Sequence, residues 1–129
     1  MSTILLSIKP EYVCRILEGS KRFEFRRSVA KRKVDRILIY STAPVKKVVA
    51  LVEVAGVLQD SPRRLWQQTH ASAGISRAKF MDYFAGRTVA YAYQLGTLRR
   101  FKEPRTLAEY GIVSAPQSFT YIEEVKCAM

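Results

Sequence analysis

Within the nine residues Gly19 to Arg27, read as G-S-K-R-F-E-F-R-R, a lysine, a glutamate and three arginines crowd together. A carboxylate can activate a water. An ammonium beside it can stabilise an oxyanion or, with its pKa lowered, act as a base itself. That is metal-free hydrolytic chemistry, and Lys21 and Glu24 are its candidate carriers. Arg22 and Arg26, two positions either side of Glu24 in a strand, are expected to hold it ionised and to leave positive charge for an anionic ligand. A solvated cross-strand salt network is the plainer account of the same residues, because exposed ion pairs are common and worth little. Other chemistries are poorly served. The one histidine, His70, has no acidic or thiol neighbour in Gln67-Gln68-Thr69-His70-Ala71, and there is no Cys-x-x-Cys. No metal site is expected. There is no G-x-x-x-x-G-K loop and no G-x-G-x-x-G after a strand, so no cofactor is expected, and no serine sits in a nucleophile elbow to suggest a Ser-His-Asp triad.

The elements around the stretch decide whether these side chains can meet. Ile4 to Ile8 reads as a short strand closed by Lys9-Pro10. Pro10 suits the first helical position and Glu11 the positive end of the helix dipole. Tyr12, Val13, Ile16 and Leu17 give the stripe of a helix buried on one face, and Gly19 its left-handed cap. Arg22 to Arg27 then alternates as a strand, with Phe23 and Phe25 on one face and Arg22, Glu24 and Arg26 on the other. Strict alternation would put Lys21 opposite Glu24; the turn released by Gly19 is expected to break that register. The basic connection Ser28 to Asp35 leads to a third strand, Arg36 to Ser41, and Val48 to Leu58 is a long fourth strand with a bend at Gly56. Glu53, its lone charge, is read as an outward position or as a second carboxylate of a cleft. Ser61-Pro62 and Ser76 start two helices. The second carries the Phe80, Tyr83 and Phe84 stripe, read as core. Thr88 to Leu95 is a strand, Leu98 to Phe101 extends the sheet, Pro104 to Gly111 is a short helix, and Phe119 to Val125 a last strand. Residues 1–129 therefore read as one α+β domain, a small, mostly β barrel with flanking and inserted helices.

Charge is the strongest compositional fact. Twenty-two Lys and Arg against eleven Asp and Glu give +11, concentrated in Lys21 to Arg36, Lys46-Lys47, Arg63-Arg64 and Arg99 to Arg105, with Glu123-Glu124 acidic at the tail. Such a balance favours polyanions, nucleic acid above all, with solubility as the bland alternative. An apolar fraction of 48% and fourteen aromatic residues exclude a disordered chain. No apolar run reaches a membrane span, no secretion signal is read, and Cys14 and Cys127 are expected as free thiols in the cytoplasm.

The run Ile4-Leu5-Leu6-Ser7-Ile8-Lys9-Pro10-Glu11-Tyr12, a helix ending at Gly19, and then G-x-K-x-x-E-x-R resembles the ASCH domain family, of the PUA-like fold shared with EVE and YTH domains. Pro116-Gln117-Ser118-Phe119 and Phe80-Met81-Asp82-Tyr83-Phe84 look like one branch of it, described as RNA-binding or transcription-associated regulators. The resemblance implies a PUA-like pseudo-barrel with a cleft beside the strand after Gly19, through which RNA is bound. Some small members of the family remove the acetyl group of N4-acetylcytidine with a Lys, a Thr and a Glu, and others have been assigned ribonuclease activity. The motif Lys is Lys21. The Thr position is Glu24, and no glutamate stands at Ser76 to Lys79, where the family's Glu falls. The leading expectation is thus an RNA-binding module, with DNA still open: Arg22, Arg26, Arg27, Lys31, Arg32 and Lys33 for phosphates, Glu24 for an exocyclic amine, and Tyr40 or Trp66 to stack a base. The alternative is a metal-independent hydrolase of the same cleft, a ribonuclease or modified-nucleoside amidohydrolase using Lys21 and Glu24. A protein-interaction domain whose charge serves only solubility is a third reading.

Overall fold

The computed structural model describes residues 2–122. Its order is β1 (Thr3–Ile8), α1 (Pro10–Glu18), β2 (Phe23–Arg26), β3 (Arg36–Ser41), β4 (Lys47–Asp60), α2 (Pro62–Thr69), α3 (Arg77–Tyr83), β5 (Ala90–Arg105) and β6 (Phe119–Ile122), with single 3-10 turns at His70–Ser72 and Leu107–Tyr110. The strands form one curled sheet in the order β2-β5-β4-β3-β1-β6. Only β1 and β3 run parallel, joined by the crossover through α1 and β2. The sheet is an open half-barrel: β2 at one edge pairs only with β5, and β6 at the other only with β1.

Three apolar clusters hold it. The first lies under α1, where Val13 and Ile16 meet Ile4, Leu6, Ile37, Ile39 and Tyr93. The second lies under the inserted α2 and α3, where Leu65, Phe80 and Phe84 cover Phe25 and Ala92. The third joins Leu5, Leu38, Tyr40, Val48 and Phe101 beneath the 3-10 turn that contains Leu107 and Tyr110. The Phe80 and Phe84 stripe is core, as its spacing indicates.

Most expected elements lie where the residues put them. Pro10 opens α1, and Gly19 ends it at φ 92 with its N–H on Ile16 O. Ser61 and Ser76 cap α2 and α3. Glu53 is exposed opposite Arg36, so it is the outward residue and no second cleft carboxylate. Two expected strands, Thr88 to Leu95 and Leu98 to Phe101, are one continuous β5, because β4 pairs with it from Val48/Arg105 to Asp60/Ala90 with register shifts that absorb the irregularity. Cys14 is a free, exposed thiol. Cys127, Glu123-Glu124 and the end of the last strand at Val125 lie outside the described residues. Among the described residues no helix is long and apolar enough to cross a membrane.

Candidate functional site

The half-barrel leaves a seam between β2 and β1, and side chains bridge it in place of a backbone ladder. Arg26 reaches across: Nη2 donates to Ser7 O at 2.8 Å and to Glu24 Oε2 at 2.8 Å, and Nε donates to the same Oε2 at 3.1 Å. The segment before β6 ties down the far side, with Ser7 N–H on Ser118 O at 3.1 Å and Ser7 Oγ donating to Pro116 O at 2.7 Å. At this seam opens a cleft of ≈ 650 Å³, within the range of small-ligand sites. Its floor is Lys21, Glu24, Phe25 and Arg26, and its rim includes Tyr12, Arg27, Lys79, Asp82 and Tyr83.

Lys21 is the unusual group. Its N–H is held by Arg15 O at 3.0 Å and the Arg22 N–H by Ser72 O at 2.9 Å, so Lys21 and Arg22, the second and third residues after the glycine cap, turn opposite ways before β2 begins. Lys21 points in and Arg22 points to solvent. The Lys21 side chain, 2% exposed, lies over Gly74 and donates from Nζ to Ala73 O at 2.8 Å. Gly74 O in turn accepts from Arg15 Nη1 at 2.8 Å. Three successive carbonyls, of Ser72, Ala73 and Gly74, thus anchor Arg22, Lys21 and Arg15. Nζ stands 4.0 Å from Glu24 Oε1, close enough to feel its charge and too far for a hydrogen bond. It also lies 4.8 Å from the Phe25 ring centre and 5.2 Å from that of Tyr12. Burial pushes the Lys21 ammonium below the ordinary lysine range; Glu24 opposes that shift, and Arg15 and Arg26 add to it. The two ring faces, like Glu24, favour the charged form. Burial and the Glu11 charge push the Tyr12 phenol up.

The ASCH domain model matches residues 6–112. This chain belongs to the ASCH domain family. An ASCH domain-containing ribonuclease of Zymomonas mobilis is 30% identical over 125 residues, 93% of this chain and 84% of that protein. The crystal structure of ASCH from the same organism superposes with a TM-score of 0.89 at 28% identity, covering 98% of this chain and 91% of the other. Two Ureaplasma parvum proteins, an ATP synthase subunit alpha at 27% identity and a large ribosomal subunit protein uL22 at 26%, also match over 94% of this chain. The chain spans only 15% and 39% of their lengths.

Of the residues singled out in the sequence, the ASCH cleft brings together Lys21, Glu24, Arg26 and Arg27. Lys31, Arg32 and Lys33 are exposed on the loop before β3, where Arg32 lies 3.6 Å over the Tyr121 ring, and none of them lines the cleft. The two expected stacking rings are corrected. Tyr40 sits in the third cluster at 5% exposure, its ring faces covered by packing. Trp66 packs 5.0 Å from Phe80 on the second cluster, away from the cleft, because α2 turns its apolar side to the sheet.

The rings at the cleft are Tyr12, Phe25 and Tyr83. Helical spacing assigns Tyr12 and Tyr83 to the core, because spacing alone does not separate a buried ring from one at a rim. Arg27 makes a plate with Tyr83, its guanidinium 4.4 Å from the ring centre and its Nε on Tyr83 O at 2.9 Å. Lys79 and Glu11 face each other across the mouth at 3.9 Å, both exposed. No glutamate occupies the start of α3, where Ser76 is the cap; Asp82, further along the helix, lines the cleft instead. Among the described residues no cluster of His, Cys, Asp and Glu could hold a metal ion.

Proposed function

We propose that this ASCH domain binds single-stranded RNA and takes one nucleotide into the seam cleft. The observation that carries the reading is the charge balance at the cleft floor. Two buried or half-buried cations, Lys21 and Arg26, share the single carboxylate of Glu24. Their other bonds go to the carbonyls of Ala73 and Ser7 and to the Ser118 hydroxyl, which orient a cation without neutralising it. One positive charge is left over at the floor, and a phosphate or another anionic group offsets it. Glu24 Oε2 takes both Arg26 bonds, whereas Oε1 has no hydrogen-bond donor among the described residues. That oxygen is available to an exocyclic amine or a hydroxyl. The Arg27–Tyr83 plate at the rim offers a flat surface for a base.

A second reading, RNA cleavage in the same cleft, is favoured by the pairing of a pKa-lowered lysine with a carboxylate and by the 30% identical relative named a ribonuclease. In this reading Glu24 Oε1 takes the proton of a 2′-hydroxyl. The oxygen attacks the adjacent phosphorus, a 2′,3′-cyclic phosphate forms as the bond to the 5′-oxygen breaks, and that oxygen takes a proton from solvent water while Glu24 returns its own to solvent. Lys21 stabilises the charge that builds on the phosphoryl oxygens. End-labelled single-stranded RNA, incubated with the protein in excess EDTA, tests both readings. Binding without cleavage supports the first alone. Cleavage that stops with a 2′-deoxy substitution, and that Lys21→Met and Glu24→Gln abolish while RNA is still bound, establishes the second. Failure of any RNA to bind overturns both.

A further inference from the structure

The cleft accounts for little of the charge on this chain. It is lined by five cationic and three anionic side chains, whereas the whole chain carries +11. A second groove, of ≈ 540 Å³, lies along the last part of β5 and is lined by Arg99, Arg100, Lys102 and Arg105, with Glu103 and Glu109. Glu109 is already committed: Oε2 accepts from Thr106 N–H at 2.7 Å and from its hydroxyl at 3.2 Å, closing the 3-10 turn. Arg105 is fixed in place, 3.9 Å over the Phe101 ring and with Nη1 on the Tyr110 hydroxyl at 2.9 Å. Arg99, Arg100 and Lys102 are exposed and make no ion pair with any described carboxylate. Four cations against one uncommitted carboxylate, on a strand rather than on a loose tail, exceed what solubility asks of a surface of mixed sign.

We propose that this groove is a second phosphate-binding surface, which takes the backbone of the RNA strand whose nucleotide sits in the seam cleft. The inference rests on the RNA reading above. The strand that carries the groove pairs with the strand that floors the cleft: Tyr93 of β5 stands opposite Glu24 in the β2–β5 ladder, and Arg99 follows six residues further on, at most about 20 Å along the strand at ~3.3 Å per residue. Unpaired guanidinium and ammonium groups grip phosphates without reading bases, so the groove contributes affinity in proportion to strand length while the cleft supplies selection.

The test is fluorescence anisotropy with single strands of about 4 and about 12 nucleotides, in RNA and DNA forms, across a salt series. The longer RNA is expected to bind at least about tenfold tighter than the shorter at low salt. The triple variant Arg99→Ala, Arg100→Ala, Lys102→Ala should lose that gain, keep the affinity for the short RNA, and lower the slope of log K against log salt by about 2, at ~0.7 per contact. Changing Arg99 and Arg100 to Lys should keep the slope. The gain with length should be as large in DNA; a gain confined to RNA overturns phosphate recognition by the groove. If long and short RNA bind alike, or the triple variant leaves the slope unchanged, the groove proposal falls and the RNA reading stands. If neither RNA binds the wild type, the RNA reading falls and the groove proposal with it.

Discussion

Gly74→Ala should be among the most damaging single-methyl additions in this chain, and its cost can be worked from two terms. Gly74 sits at φ +64, where a side chain costs about 1–2 kcal/mol in the left-handed region. Its absent Cβ is also where Lys21 lies: a methyl there would stand 2.6 Å from Lys21 Cγ and 3.0 Å from Cδ. Lys21 cannot yield freely, because Nζ is bonded to Ala73 O and the side chain is buried between the Tyr12 and Phe25 rings. Overpacking of this kind costs about 1–3 kcal/mol, so the sum is about 2–5 kcal/mol. Gly19→Ala is the internal control. Its φ of +92 carries the same backbone term, but nothing lies within 4 Å of the added Cβ, so it should cost only about 1–2 kcal/mol. Urea unfolding of both variants, compared at equal m-value, isolates the clash as their difference. In a double-mutant cycle, Lys21→Gly with Gly74→Ala should recover part of the cost, a coupling of about 1–3 kcal/mol. Equal destabilisation by Gly74→Ala and Gly19→Ala, or zero coupling, would refute the placement of Lys21 over Gly74.

Glu24→Gln leaves the buried Lys21 ammonium and the Arg26 guanidinium without a counter-charge and should destabilise by about 3 kcal/mol; a change below ~1 kcal/mol in urea denaturation would show the pair to be solvated. Lys21→Met, which removes the costly charge and leaves Glu24 with Arg26, should change stability by less than ~1 kcal/mol. Because the folded-state pKa of Lys21 lies below its ordinary value of 10.5, the folded chain binds fewer protons between the two values. Stability should therefore rise with pH across that window, and the rise should shrink in Lys21→Met. Any activity that needs the Lys21 ammonium should fall as pH climbs through the lowered pKa, and one that needs the free amine should rise. Tyr93→Phe removes the hydroxyl that accepts from the buried Ala30 N–H at 3.0 Å and should cost about 1–3 kcal/mol, read from the urea midpoint.

The order of elements was legible because each start and stop carries its own signal: Pro10, Gly19, Ser61-Pro62 and Ser76 stand at helix ends in the structure, as their chemistry requires. The half of the cleft that is local in sequence was legible for the same reason. Lys21, Glu24 and Arg26 are close along the chain, and the turn at Gly19 alone decides their register. The other half comes from elsewhere. Ser7, Tyr12, Asp82 and Tyr83 reach the cleft from β1, α1 and α3, and no local pattern reports that these elements converge. Tyr40 shows the limit clearly. Alternation places it on one of two faces of β3, but both faces are covered, so no face was free for a ligand.

The position of the cleft follows from the topology of the sheet. A closed barrel would pair every strand edge with backbone; here β2 has a ladder only with β5, and the gap to β1 must be satisfied by side chains. Arginine can cross such a gap and bond a carbonyl on the far side, as Arg26 does to Ser7, while Lys21 beside it bonds Ala73 O in the connection between α2 and α3. Each retains its charge after doing so. The seam is crossed by one cation and flanked by a second, and a single glutamate offsets only part of that charge. Stability alone gives no reason to keep Lys21 as the second cation, because a buried ammonium 4.0 Å from a carboxylate it shares with Arg26 has a desolvation cost larger than the Coulombic return. In the proposed function an anionic ligand supplies the missing return. On the proposed function, the half-barrel presents its anion-accepting floor where β2 and β1 are not joined by a backbone ladder.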